Sequence, residues 1–172
     1  MTWGRPALLA GMLAAALALG GCGLRPLYAG GSSGTVATTL AGVEVAPIAG
    51  KSGWLMRNAL QDRLTAGVQT GAPTYRLEVE LDDRIDGFGV RQDNAVTRER
   101  RTLRARYRLV QGDTNTVVLD ATAGSDAGID VVSSEYAVIA AEDTALERLT
   151  DEVATLIVTR LALFASRTAP TQ

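Results

Sequence analysis

Five arginines stand at alternate positions in the segment Thr97-Arg98-Glu99-Arg100-Arg101-Thr102-Leu103-Arg104-Ala105-Arg106-Tyr107-Arg108-Leu109. Side chains alternate faces along a strand, so Arg98, Arg100, Arg104, Arg106 and Arg108 would share one face. Leu103, Ala105, Tyr107 and Leu109 would then point the other way, into a core. Guanidinium groups in such a row could hold phosphates or carboxylates through paired N–H donors. A structural use of the same charge stands beside this one. Glu78, Glu80 and Asp82 on the preceding strand and Asp120 on the following one could pair across a sheet, at about 0–1 kcal/mol per exposed pair. Five arginines meet four such acids, and Arg76 and Arg84 add positive charge beside them. A salt-bridge lattice and an anion- or partner-binding face therefore both stand.

Cys22 is the only cysteine, and it follows the run Leu19-Gly20-Gly21 directly behind an apolar leader. Arg5 supplies a positive start, and Ala7 to Leu19 forms an Ala- and Leu-rich stretch too short for a hydrocarbon core, which needs about 20 residues. Small residues at Gly20 and Gly21 let the chain enter a peptidase site extended. This pattern resembles the lipobox of bacterial lipoproteins, with cleavage between Gly21 and Cys22. The resemblance implies a diacylglycerol thioether on Cys22 and acylation of the new amine. One acyl chain binds a membrane only marginally, whereas two or three make a durable anchor. Gly23, in place of an aspartate, implies sorting to the outer membrane with the body facing the periplasm. The alternative is an ordinary cleaved secretory peptide with an incidental cysteine.

Composition narrows the chemistry further. Removing residues 1–21 from the 172 leaves 151, enough for one domain that buries about 68–70% of its unfolded surface. With 17 basic and 19 acidic side chains the formal charge is −2, which argues against general nucleic-acid affinity. The chain has no histidine, so the commonest general base and metal ligand are missing. With Cys22 committed to lipid, thiol and Ser–His nucleophiles and His/Cys metal sites are excluded. No catalytic residue, metal site or cofactor is expected beyond the lipid on Cys22. Gly87-Phe88-Gly89 lacks the rest of a phosphate loop and reads as a bulge or wide turn. Asp82-Asp83 and Glu142-Asp143 are neighbours aimed at different faces, hence poor acid/base pairs.

The elements that would position the ladder follow from periodicity. Gly30 to Gly34 is a flexible spacer. Gly42 to Pro47 reads as a strand with Val43 and Val45 on one face. Ser52 can cap a helix carrying Leu55, Met56, Ala59, Leu60 and Leu64, closed by Gly67. Tyr75 to Ile85 alternates, with Tyr75, Leu77, Val79 and Leu81 facing one way and Arg76, Glu78, Glu80 and Asp82 the other. After an irregular turn over 87–94, a long strand spans about 97–111. Gly112-Asp113-Thr114-Asn115 then turns the chain into Val117–Thr122, followed by a loop over 124–134. Leu146, Leu149, Val153, Leu156, Ile157, Leu161 and Phe164 mark a final helix with acids on its other side. The expected class is α+β: a two-layer sandwich of two helices on one face of a four-stranded, mainly antiparallel sheet, in the order β-α-β-β-β-α. Domain limits are a leader at 1–21, a lipidated tail and spacer at 22–38, one domain at 39–167 and a tail at 168–172.

The run Cys22-Gly23-Leu24-Arg25-Pro26-Leu27-Tyr28, this element order, and Ser134-Glu135-Tyr136-Ala137 ahead of the last helix together resemble the LPS-assembly lipoprotein family LptE, in its alphaproteobacterial form. The resemblance spans essentially the whole chain. It implies two helices on a four-stranded sheet, in agreement with the periodicity. It also implies a non-catalytic subunit plugging the LptD outer-membrane β-barrel, aiding its assembly and the delivery of lipopolysaccharide to the outer leaflet. Direct contact with lipopolysaccharide would suit an arginine-rich face, because lipid A carries phosphates. An Arg/Glu-rich surface suits a polar barrel lumen equally well.

Two other readings remain. An auxiliary adaptor lipoprotein of another envelope transport complex would use the same lipid anchor. Leu24, Leu27, Tyr28 and Trp54 could serve a partner contact or pack the core and tail, and both uses stand. A hydrolase working with carboxylates alone would need two of them about 5–9.5 Å apart across a cleft. The acids instead sit beside arginines or on a helix face turned to water.

Overall fold

Alternation and helical spacing resolve into seven elements in a computed structural model that describes residues 34–65, 72–90 and 96–168. They are α1 (Thr35–Ala41), β1 (Val43–Val45), α2 (Gly50–Leu64), β2 (Tyr75–Val90), β3 (Val96–Gln111), β4 (Val117–Asp130) and α3 (Glu135–Thr168). The leader, Cys22, Gly67 and most of the tail lie outside the described residues. One mixed sheet has the order β1-β2-β3-β4. β1 and β2 are parallel, and α2 makes the crossover between them. The other two pairings are antiparallel. The helices cover one face of the sheet, so the α+β sandwich read from the sequence is the observed architecture.

The core lies between that face and the helices. Leu77, Leu103, Tyr107 and Leu109 from the strands meet Met56 and Leu60 from α2 and Leu146, Leu149, Val153, Ile157 and Leu161 from α3. Burying each such side chain stabilises by about 1.5–3 kcal/mol relative to exposure. The buried positions of α3 recur in adjacent pairs at 145/146, 149/150, 153/154, 157/158 and 161/162. Leu156 falls between these pairs and is half exposed, so it is not part of the core stripe. Phe164 instead closes the stripe edge-on against Tyr75, with ring centroids 6.2 Å apart.

Several local expectations are corrected. Ser52 is not the cap of α2; the helix begins two residues earlier, at Gly50, with Ala49 in the cap position and no side-chain cap bond. Gly50 has φ 81°, which relieves it of the strain a side chain would bear. Buried Gly53 admits the backbone of Ile48, which would lie 2.7 Å from a Cβ there. This close approach lets the chain leaving β1 fold straight back onto the helix. The helix ends at Leu64, ahead of Gly67.

α1 straddles the expected boundary between spacer (22–38) and domain (39–167), and its seven residues carry only Val36 and Leu40 as large apolar side chains. Both are buried, and α1 packs on α2 and α3. β2 continues through the supposed turn at Gly87 as far as Val90, and β4 continues through the supposed loop as far as Asp130. The segment Ala123-Gly124-Ser125-Asp126-Ala127-Gly128 has a turn-like composition, but pairing with the strongly β-forming β3 overrides it. The hairpin turn at 112–115 forms as expected, with Asn115 at φ 53°, a conformation asparagine tolerates.

Candidate functional site

The even-numbered positions of β2 from Arg76 to Phe88, of β3 from Arg98 to Arg108 and of β4 from Asp120 to Asp130 form the sheet face that the helices leave open. Arg98, Arg100, Arg104, Arg106 and Arg108 all lie there, as the alternation requires. Arg106 binds Asp120 at 2.9 Å, Arg98 binds Asp130 at 3.1 Å, and Arg100 reaches Asp126 at 3.8 Å. Arg108 faces β2 and bridges Glu78 at 3.2 Å and Glu80 at 3.6 Å. On β2 itself, Arg84 holds Asp82 at 2.8 Å and Arg76 holds Glu78 at 3.1 Å. Hydrogen bonding from Arg106 holds the Asp120 carboxyl below the usual carboxylate range, and its positive charge adds to the effect.

The ladder is therefore largely a salt-bridge lattice, a positive central strand between two acidic ones. Counting four nearby acids missed Asp126 and Asp130, because both stand in the part of β4 read as loop. These pairs are exposed and each contributes little to stability.

Arg104 differs from the other four. Among the described residues it has no carboxylate within 4 Å, although Asp82 is its partner across β2, because Asp82 is turned to Arg84. Across β4 its partner is Gly124, which offers no side chain. Around it lies a concavity of about 460 Å³, walled by Asp82, Thr102, Arg106, Thr122 and Asp126. Arg104 is thus an exposed, uncommitted guanidinium at the centre of the face, available to an anion. Beyond it, Arg100 stacks over the Phe88 ring at 5.4 Å.

A second charged cluster lies on the helix side. Arg101 has odd parity, so it points inward among Leu103, Ala105 and Tyr107. Its guanidinium donates to both oxygens of Asp83, at 2.8 and 2.7 Å, and to the Glu142 backbone carbonyl at 2.8 Å. In the sequence Asp83 stands out only as a neighbour of Asp82 aimed at the opposite face. The parity that placed Leu81 inward places Asp83 and Arg101 inward too, and that was the available signal. Glu99 shares this face, and its Oε2 is buried with no hydrogen-bond partner among the described residues.

Burial, then the negative charge of Glu142, push the Glu99 carboxyl above its ordinary 4.5. A raised folded pKa means that stability is full below pH 4.5 and is lost as pH rises through the folded value. Glu99→Gln is expected to flatten this dependence. In thermal melts it should raise Tm at pH 7 by about 1–2 °C and leave it unchanged below pH 4.5. An unchanged melting profile across both ranges would show that Glu99 titrates normally.

Among the described residues no three His, Cys, Asp or Glu side chains come together as metal ligands. None of their helices is long and apolar enough to cross a membrane.

Comparison with known proteins follows the fold. The family model described as "LptE: Lipopolysaccharide-assembly" matches residues 40–161, from the end of α1 to the last turns of α3. A crystal structure from Caulobacter crescentus CB15 is 26% identical with a TM-score of 0.66, covering 80% of this chain and all of that one. The minor lipoprotein of Acinetobacter baumannii is 18% identical with a TM-score of 0.57, covering 76% and 93%. The rare lipoprotein B of Shewanella oneidensis is 9% identical with a TM-score of 0.57, covering 73% and 95%. The last two share the fold. A search of curated proteins gives no significant match.

Proposed function

This chain belongs to the lipopolysaccharide-assembly (LptE) lipoprotein family, and from that premise we propose that it is a non-catalytic subunit of the lipopolysaccharide translocon. It is anchored in the outer membrane through lipid on Cys22 and seated inside an LptD-type β-barrel, where it aids barrel assembly and passage of lipopolysaccharide. The observation that carries this reading is the open sheet face, where a charged, internally paired lattice covers three long strands. Such a face is costly to bury against apolar protein but is compatible with a polar, water-filled lumen. Arg104 is the position on it that offers unspent positive charge to a lumen carboxylate or a lipid A phosphate.

A mild-detergent pull-down of the tagged, lipidated protein from outer membranes, read by mass spectrometry, tests the partner. A large β-barrel of the lipopolysaccharide-transport type at near one-to-one ratio is the expected result. Recovery of an inner-membrane transporter instead favours the adaptor reading. The ladder is tested by changing Arg104, Arg106 and Arg108 to glutamine. Barrel or lipopolysaccharide retention should fall at least about tenfold, with Arg104→Gln alone causing most of the loss. Full retention of both partners by the triple variant removes the ladder from the binding surface.

A further inference from the structure

β4 is an edge strand, and among the described residues nothing pairs with its outer side. The geometry points to that edge as a site that accepts an extended polypeptide strand carrying Lys or Arg on alternate positions and small apolar residues between them. This goes beyond the translocon role, since it concerns the free edge of the sheet and a different mode of recognition.

The backbone comes first. The Val131 N–H donates to the Thr97 carbonyl, and the register pairs β4 with β3 at constant offset from Leu119 to Asp130. Hydrogen-bonded pairs alternate in antiparallel sheets, so the odd residues of β4 spend their N–H and C=O on β3. The corresponding groups of Thr122, Gly124, Asp126 and Gly128 point outward, with no partner among the described residues. Edges of this kind are usually blunted by lysine, proline or a bulge. β4 has no lysine, arginine or proline, and its one irregularity lies at its start, opposite Leu109/Val110.

The flanks decide which strand fits. On the open sheet face the charges of β4 are Asp120, Asp126 and Asp130, with Asp126 and Asp130 well exposed despite their arginine partners. A strand added at the edge places its own side chains about 5 Å from these, close enough for ion pairing. On the helix side, Gly128, Ile129 and Asp130 form with Ala140, Ala141, Thr144 and Ala145 a groove of about 370 Å³, at whose end Arg148 is held by Glu152 at 3.6 Å. Its alanine-rich wall accepts small or medium apolar side chains. Main-chain bonds would supply affinity, and the two unlike flanks would supply register and specificity.

The test uses two octapeptides, one alternating Lys with Val and one alternating Glu with Val, added to the full-length lipidated protein in detergent micelles. Amide hydrogen exchange is followed by NMR. The Lys/Val peptide is expected to slow exchange at Thr122, Gly124, Asp126 and Gly128 by about tenfold or more, and the Glu/Val peptide is expected to leave it unchanged. Gly128→Pro removes one outward N–H, at a position where an added Cβ meets open space, and should abolish the protection. If that variant fails to fold, Asp126→Lys serves instead and should reverse the preference between the peptides. Several results overturn the proposal. They are no protection by either peptide, equal protection by both, amides already protected without peptide, and protection that grows with protein concentration alone, which would mean pairing with a second copy.

Discussion

Arg101→Ala is expected to destabilise the domain by about 3 kcal/mol, lowering Tm by about 6–12 °C. The Arg101 side chain is 11% exposed and that of Asp83 20%, so water cannot replace the pair. Loss of the guanidinium strands the Asp83 carboxylate in the same environment as Glu142 and Asp143 and frees the Glu142 carbonyl. The cluster joins β2, β3 and α3, so its loss should loosen the first turns of α3 before the rest of the helix. A two-residue control separates the worth of the pair from the harm of leaving half of it. Arg101→Leu with Asp83→Leu should recover stability to within about 1 kcal/mol of the parent, because apolar packing often replaces a buried ion pair without loss. Arg101→Lys should be intermediate, since an ammonium cannot match both carboxylate oxygens. A Tm for Arg101→Ala within about 2 °C of the parent would remove the cluster from the stability of the fold.

Cys22→Ala is expected to have the largest effect on function. Acyl chains contribute about 0.8 kcal/mol per buried methylene, so losing two or more should lower membrane affinity by well over about a thousandfold. Fractionation should move the protein from the membrane to the soluble pool, and mass spectrometry of the parent should find the lipid adduct at Cys22. The domain itself should keep its Tm, because it lacks any disulfide and is held by the core between sheet and helices. A parent protein that is soluble and carries no lipid adduct would overturn the anchor and return Cys22 to an incidental place in a secretory leader. Together with the loss of pull-down partners, this variant separates membrane delivery from recognition by the open sheet face.

Much of the architecture follows from short-range pattern. Alternation over Tyr75–Leu81 and Leu103–Leu109 determined the strands, their inward faces and the shared face of the five arginines, because side-chain direction in a strand depends only on parity. Helical spacing determined α2 and α3, and the element order determined the two-layer class. The run at Cys22-Gly23-Leu24-Arg25-Pro26-Leu27-Tyr28, with that order, pointed to the family that the match over residues 40–161 establishes.

Register and long-range pairing belong to the tertiary structure alone. α1 is too short and too weakly patterned to be seen locally, yet it is held by burial of Val36 and Leu40. The second half of β4 is rich in Gly, Ala and Asp and becomes a strand because β3 offers it a partner. Once it does, Asp126 and Asp130 reach Arg100 and Arg98, and the apparent surplus of positive charge on the ladder narrows to Arg104. Which arginine remains available depends on Gly124 standing opposite it and on Asp82 turning to Arg84. Parity states which face a side chain takes, but its neighbours on that face are set by the offset between strands distant in the chain.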